Sequence, residues 1–158
     1  MFIAHLPAAY LLRRLCAPRL SRAAVAAFLV GSIAPDIDMF AFYLVDGPSV
    51  HHHNYITHRP ALWYIVLGVG LAWHRISRGK ISACLIALGL GALLHLMLDS
   101  IAGQIDWGWP VLDLPVTLVQ VPATQNHWVL SFLTHWTFVN ELIICAIAIL
   151  VYRRTHGR

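Results

Sequence analysis

Charge is what this chain has least of. Of its 158 residues, 11% are Asp, Glu, Lys or Arg, against roughly 25% in an ordinary soluble domain. With 59% hydrophobic residues and a mean hydropathy of +0.68, it has too little polar surface to cover a core in water, and a bilayer is the better solvent. Cysteine is also scarce. Cys16, Cys84 and Cys145 lie far apart in apolar sequence, with no CxxC. That excludes a disulfide frame and a zinc knuckle, and leaves small core or lipid-facing residues. The formal charge of +4 comes from clustered arginines, and no basic face is interleaved with exposed aromatics. Nucleic acid is therefore not expected as a partner. There is no internal repeat or low-complexity linker, so residues 1–158 read as a single membrane-embedded domain.

What is present is apolar helix. The expected fold is all-α, a polytopic membrane bundle of about four to five helices, because spans of about 20 apolar residues suit a hydrocarbon core of about 30 Å. The segments fall at roughly 2–17, 21–45, 59–76, 81–102 and 128–152. Ser21 is placed to cap the second, and Pro35 should kink or break it. The arginines ahead of AAVAAFLVGSIA imitate a signal peptide, but the cleavage region would run into PDID, so the segment is expected to stay in the mature protein. Loop 103–127 carries Gly, Pro, Trp and two Asp and reads as irregular or interfacial.

The cations set a topology. One cluster precedes the second segment (Arg13, Arg14, Arg19, Arg22), one joins the third to the fourth (Arg75, Arg78, Lys80), and one follows the fifth (Arg153, Arg154, Arg158). Placing all three in the cytoplasm satisfies the alternation of spans. At about 1.5 Å per residue, Asp36 and Asp38 then lie about 21 and 24 Å from Arg22. His58 lies about 25 Å from Arg75, and His95 and Asp99 about 22 and 28 Å from Lys80. Helices of opposite direction thus deliver His and Asp to one level, at the outer edge of the hydrocarbon. His5 joins them if the first segment descends from that level. His135 reaches a similar depth, and with Glu141 reads as a buried pairing partner.

Intramembrane ionisable residues are costly and are usually functional. His95 and Asp99, at i and i+4 in HLMLD, share one helix face and can hold one ion or merely bond one helix to another. Ala83, Ala87 and Gly91 precede them on the same stripe and allow a second helix to come close. PDID, taken alone, reads better as a loop whose carboxylates cap a turn or face water than as two ligands. His53 and His58, five apart in HHHNYITHRP, cannot share a straight helical face, but a loop entering a helix with Thr57 as its cap would turn both inward. His51 and His52 read as solvated, His74 as structural, and Asp106, Asp113 and His127 as loop or supporting groups. Imidazole with carboxylate suits zinc, manganese or iron(II), and one or two ions could be held.

The order His5, GSIAPDID, HNYITH, HLMLDSIAG and a downstream WP resembles the YdjM-like family of bacterial inner-membrane proteins over about residues 3–110. Its usual middle element is HRxxTHS. His53, Thr57 and His58 are kept here, while Asn54 and Arg59 replace the arginine and the serine, a departure that touches contacts around the site or substrate selectivity. The resemblance implies a membrane-bound metal-dependent hydrolase. The order of ligands is also similar, more distantly, to the zinc phospholipase C and P1 nuclease group. That likeness would make His5, Asp36 or Asp38, His58, His95 and Asp99 ligands, with Asp99 a candidate bridge.

These readings give a divalent-metal set of His5, Asp36, Asp38, His53, His58, His95 and Asp99. Zinc leads, with manganese and iron as alternatives. Asp36 or Asp38 would be the general base, and Arg59 would hold a substrate phosphate. The expected function is hydrolysis of a phosphoester or lipid-linked substrate at the periplasmic face of a multi-pass inner-membrane protein, with membrane lipids and that substrate as partners. The competing class is a non-catalytic metal-binding or structural membrane protein. Ion transport fits poorly, because residues 62–73 and 84–94 offer no polar path.

Overall fold

The computed structural model of this protein describes residues 3–17, 19–46 and 52–156, apart from the side chain of His52. Among them are seven α-helices: α1 (His5–Cys16), α2 (Arg22–Gly31), α3 (Asp38–Ala41), α4 (Pro60–Ile76), α5 (Lys80–Asp99), α6 (Trp128–Leu133) and α7 (Trp136–His156). Ser21 caps α2 as expected, its hydroxyl accepting from Ala24 N at 3.3 Å. The second segment breaks ahead of Pro35 and continues through a 3-10 turn at Ala34–Ile37 into α3, with a bend of 56° between the two arms.

Helix α5 is the spine, with α2 and α4 packed along it. In lipid, burying apolar surface contributes little to helix association, so close approach of small residues matters more. The expected stripe provides it. A Cβ on Gly91 would stand 2.1 Å from the Phe28 carbonyl oxygen, and one on Gly31 would stand 2.2 Å from that of Leu88. Ala87 is buried with Ala9, Ala24 and Phe28, which ties α1 into the same contact. On the other flank Trp63 of α4 packs with Ala92, Leu96 and Ile105.

Three expectations change. The fifth segment is not one helix, because it breaks at Thr134 and His135. The Thr134 hydroxyl donates back to the carbonyls of Leu130 and Ser131, and His135 Nδ1 meets both the hydroxyl and the amide of Thr137. Local side-chain bonds there displace the helical ladder. Loop 103–127 holds a short antiparallel pair, β1 (Ile105–Asp106) with β2 (Pro115–Val116). Finally, among the described residues two helices are long and apolar enough to cross a membrane, α5 and α7, or three if the bent pair Arg22–Gly31 and Ala34–Asp46 is one span. Helix α4, with 17 residues, is not among them.

Candidate metal centre

The break at Pro35 supplies the first element of the site. Proline cannot donate to the carbonyl four residues back, and the Asp36 amide turns to Ile33 O at 3.2 Å. The Ser32 carbonyl is left to receive His95 Nδ1 at 2.8 Å. A carbonyl only accepts, so Nδ1 carries the proton, and Nε2 of the neutral ring presents a lone pair. That Nε2 is buried and makes no hydrogen bond. It lies 3.0 Å from Asp99 Oδ2 and 3.5 Å from Asp36 Oδ1.

His58 repeats the arrangement. Its Nδ1 is hydrogen-bonded to Asp38 Oδ2, and its Nε2 faces Asp99 Oδ2 at 3.4 Å and Asp36 Oδ1 at 3.8 Å. His53 Nε2 comes within 3.8 Å of Asp99 Oδ2, and His5 Nε2 within 3.2 Å of Asp99 Oδ1. The His5 and His95 rings stack with centroids 3.7 Å apart, and those of His53 and His58 lie 4.9 Å apart. Six of these seven side chains are buried, while the Asp36 carboxylate is 40% exposed. In two groups, His5–Asp36–His95 and His53–His58–Asp99, one ligand atom from each residue lies within 4.8 Å of the others. Donor atoms around a tetrahedral zinc stand roughly 3.3 Å apart, close to the shorter of these separations.

Asp38 has a different place from Asp36. Its carboxylate sits behind His58, accepting from Thr57 Oγ1 at 2.7 Å as well as from the imidazole. This is the carboxylate–histidine support that fixes a ligand's tautomer and orientation. Thr57 does not cap α4. Its hydroxyl is committed to Asp38, and its carbonyl accepts from Trp63 Nε1 at 2.7 Å. Burial pulls the His58 imidazole down, but its bonds to Asp38 and Asp99 outweigh burial and raise it to about 9. Burial lowers His5 below its ordinary 6.5. The Tyr55 phenol, hydrogen-bonded to Asp46, is pushed up to about 12.

Arg59 is held by its neighbours. Its Nη1 meets Asp106 Oδ2 at 3.2 Å, and its guanidinium lies 5.4 Å from the Trp109 ring centroid. Asp106 Oδ1 in turn accepts from Leu114 N at 3.0 Å. His74 bonds Ser82, and His127 accepts from Val129 N at the start of α6, so both are structural. Asp113 is exposed. His51 lies outside the described residues.

The Ser32 carbonyl is a support the sequence reading did not name, and its signal was the proline three residues on. Glu141 of α7, expected as a buried pairing partner, is fully buried, and its Oε2 accepts from Ile3 N at 2.6 Å and Ala4 N at 3.1 Å. It thereby holds the start of α1, where His5 sits. A lone acid in an apolar helix was its signal. Gly103 is a third contributor: a Cβ there would stand 2.3 Å from His53 Cε1.

Comparison with curated proteins and with solved structures finds no match, so the likeness to the zinc phospholipase C and P1 nuclease group gains no support. A family model does match, described as YdjM inner membrane protein and covering residues 1–157. This is nearly the whole chain, including every residue of the cluster, and the protein belongs to that inner-membrane family.

Proposed function

We propose that the cluster is a divalent-metal centre and that the protein is a metal-dependent hydrolase acting on a phosphoester or lipid-linked substrate. The observation that carries the metal is the convergence of acceptors. His95 Nε2 and His58 Nε2, each facing inward because its Nδ1 is committed elsewhere, meet the carboxylates of Asp36 and Asp99. Lone pairs and anionic oxygens at that distance require a cation between them, either protons or a metal ion. Imidazole with carboxylate favours zinc, with manganese and iron(II) compatible, and the two overlapping groups suit one or two ions.

His5, His53, His58, His95 and Asp99 would hold the metal, with Asp99 reaching both groups and Asp36 beside them. When bound, it would supply Lewis acidity toward a phosphoryl or carbonyl oxygen and lower the pKa of a water. The residues do the remainder. Asp36, the cluster's solvent-reaching carboxylate, is placed to accept a proton from an entering water. Asp38, buried behind His58, positions rather than reacts. Arg59 at the rim would offer its remaining N–H groups to a substrate phosphate while Asp106 holds it in place. A multi-pass arrangement with the cations in the cytoplasm would open the site toward the periplasm.

The test is metal content by mass spectrometry on detergent-purified protein, beside His95→Ala and Asp99→Ala of matched helicity. One or two equivalents of zinc or manganese, lost in both variants, is the expected result. A screen of phosphoester substrates follows, with Asp36→Asn expected to retain metal better than it retains turnover. Wild-type protein that stays metal-free after incubation with these ions would leave the cluster as a bond between helices. Metal without turnover on any phosphoester would favour the non-catalytic alternative.

A further inference from the structure

A second feature lies along the same helices, lined by none of the His and Asp of the cluster. A groove of ≈ 670 Å³ runs beside α5 from Ala83 to Met97, walled by side chains such as Leu12, Phe28 and Leu90. That is about 21 Å of helix. Its walls are apolar almost throughout, with one charged exception, Arg13. The Arg13 Nε is buried and has no hydrogen-bond partner. Arg14, Arg19 and Arg22 follow closely in the chain, and no Asp or Glu occurs in residues 3–35 or 47–98. Among the described residues, the Arg or Lys ion pair is Arg59 with Asp106, and neither lines the groove.

These facts select an occupant. A wall whose polar side chains are only Arg13, Cys16 and His74 cannot satisfy the donors and acceptors of a peptide backbone along its length, so a protein segment is a poor fit. An acyl chain has no such groups. The guanidinium in the groove, without a carboxylate of its own, calls for an anion, and its planar fork matches phosphate. A zwitterionic headgroup brings an ammonium toward that guanidinium, whereas an anionic one does not. We propose that this groove binds one anionic phospholipid, an acyl chain along α5 and its phosphate on Arg13. The proposal is independent of the metal centre, since none of the proposed ligands lines the groove.

The experiment is native mass spectrometry of the full chain released from detergent and titrated with phosphatidylglycerol or phosphatidylcholine. Wild type should retain one phosphatidylglycerol in clear preference to phosphatidylcholine. Arg13→Gln should weaken phosphatidylglycerol about fivefold and narrow its preference over phosphatidylcholine, while Arg13→Lys should fall between. Leu90→Trp, which fills the groove, should weaken both lipids. Unchanged helicity and unfolding midpoint in each variant exclude misfolding as the cause. Equal retention of the two lipids by wild type would overturn the proposal. So would an Arg14→Gln variant that loses as much as Arg13→Gln, since the basic surface as a whole would then be responsible.

Discussion

Helices α5 and α7 are near-equals in sequence, 20 and 21 residues long and both apolar enough to span a membrane, yet they do different work. Helix α5 is packed on two sides and carries Gly91, His95 and Asp99 on buried positions. Helix α7 turns most of its apolar side chains outward and packs mainly on α1. Its contribution to the site is indirect, through Glu141 and the amides ahead of His5. The difference teaches that hydropathy identifies a spanning helix but says nothing of its rank in the fold. Small residues and buried polar ones decide that, because in lipid they make the distinctive contacts.

The comparison is broken most sharply on α5. Asp99→Asn removes the carboxylate that reaches His5, His53, His58 and His95. We expect no stoichiometric metal in that variant, read by elemental mass spectrometry. Next comes Gly91→Val, whose side chain meets the Phe28 carbonyl. Overpacking of this kind costs about 1–3 kcal/mol, and it pries α2, with the Ser32 carbonyl, from His95. A lowered unfolding midpoint together with lost metal is expected; a stable variant with full metal would show that the close approach is dispensable.

Asp38→Asn should be milder, weakening metal affinity by about 10–100-fold without abolishing binding, as measured by competition with a chelator. The same pair predicts a pH dependence. With His58 raised to about 9 in the ion-free protein, a proton competes for its Nε2. Apparent metal affinity should therefore rise with pH by about tenfold per unit from this group and level off above about pH 9. The ion-free protein should show the opposite trend. The stability His58 contributes is fully present below pH 6.5 and is lost as pH rises through about 9. A chelator-treated sample whose melting point is flat over that window would remove His58 as the titrating group. Smallest is the change on α7. Glu141→Ala leaves the Ile3 and Ala4 amides without their acceptor, a cost of about 1–3 kcal/mol. Metal should be weakened through His5 alone, whereas a surface change on the same helix, Ile149→Ala, should leave metal content unchanged.

Much of the site is legible in the sequence. The i, i+4 pair His95 and Asp99, the small residues ahead of it, and the common depth of histidines and aspartates all follow from helical rise. They are local properties, repeated every 1.5 Å along a regular helix. The sequence by itself determined a helical membrane protein, a break at Pro35, and the end of the molecule where imidazoles and carboxylates would gather. Tertiary structure alone separated Asp36 from Asp38, two residues apart in PDID, sending one to the solvent edge of the cluster and the other behind His58. It also paired Arg59 with Asp106, 47 positions away, and brought Glu141 to the start of α1 across nearly the whole chain. Such partners are chosen by distance in space between side chains on different elements, and no periodicity within one element encodes that distance.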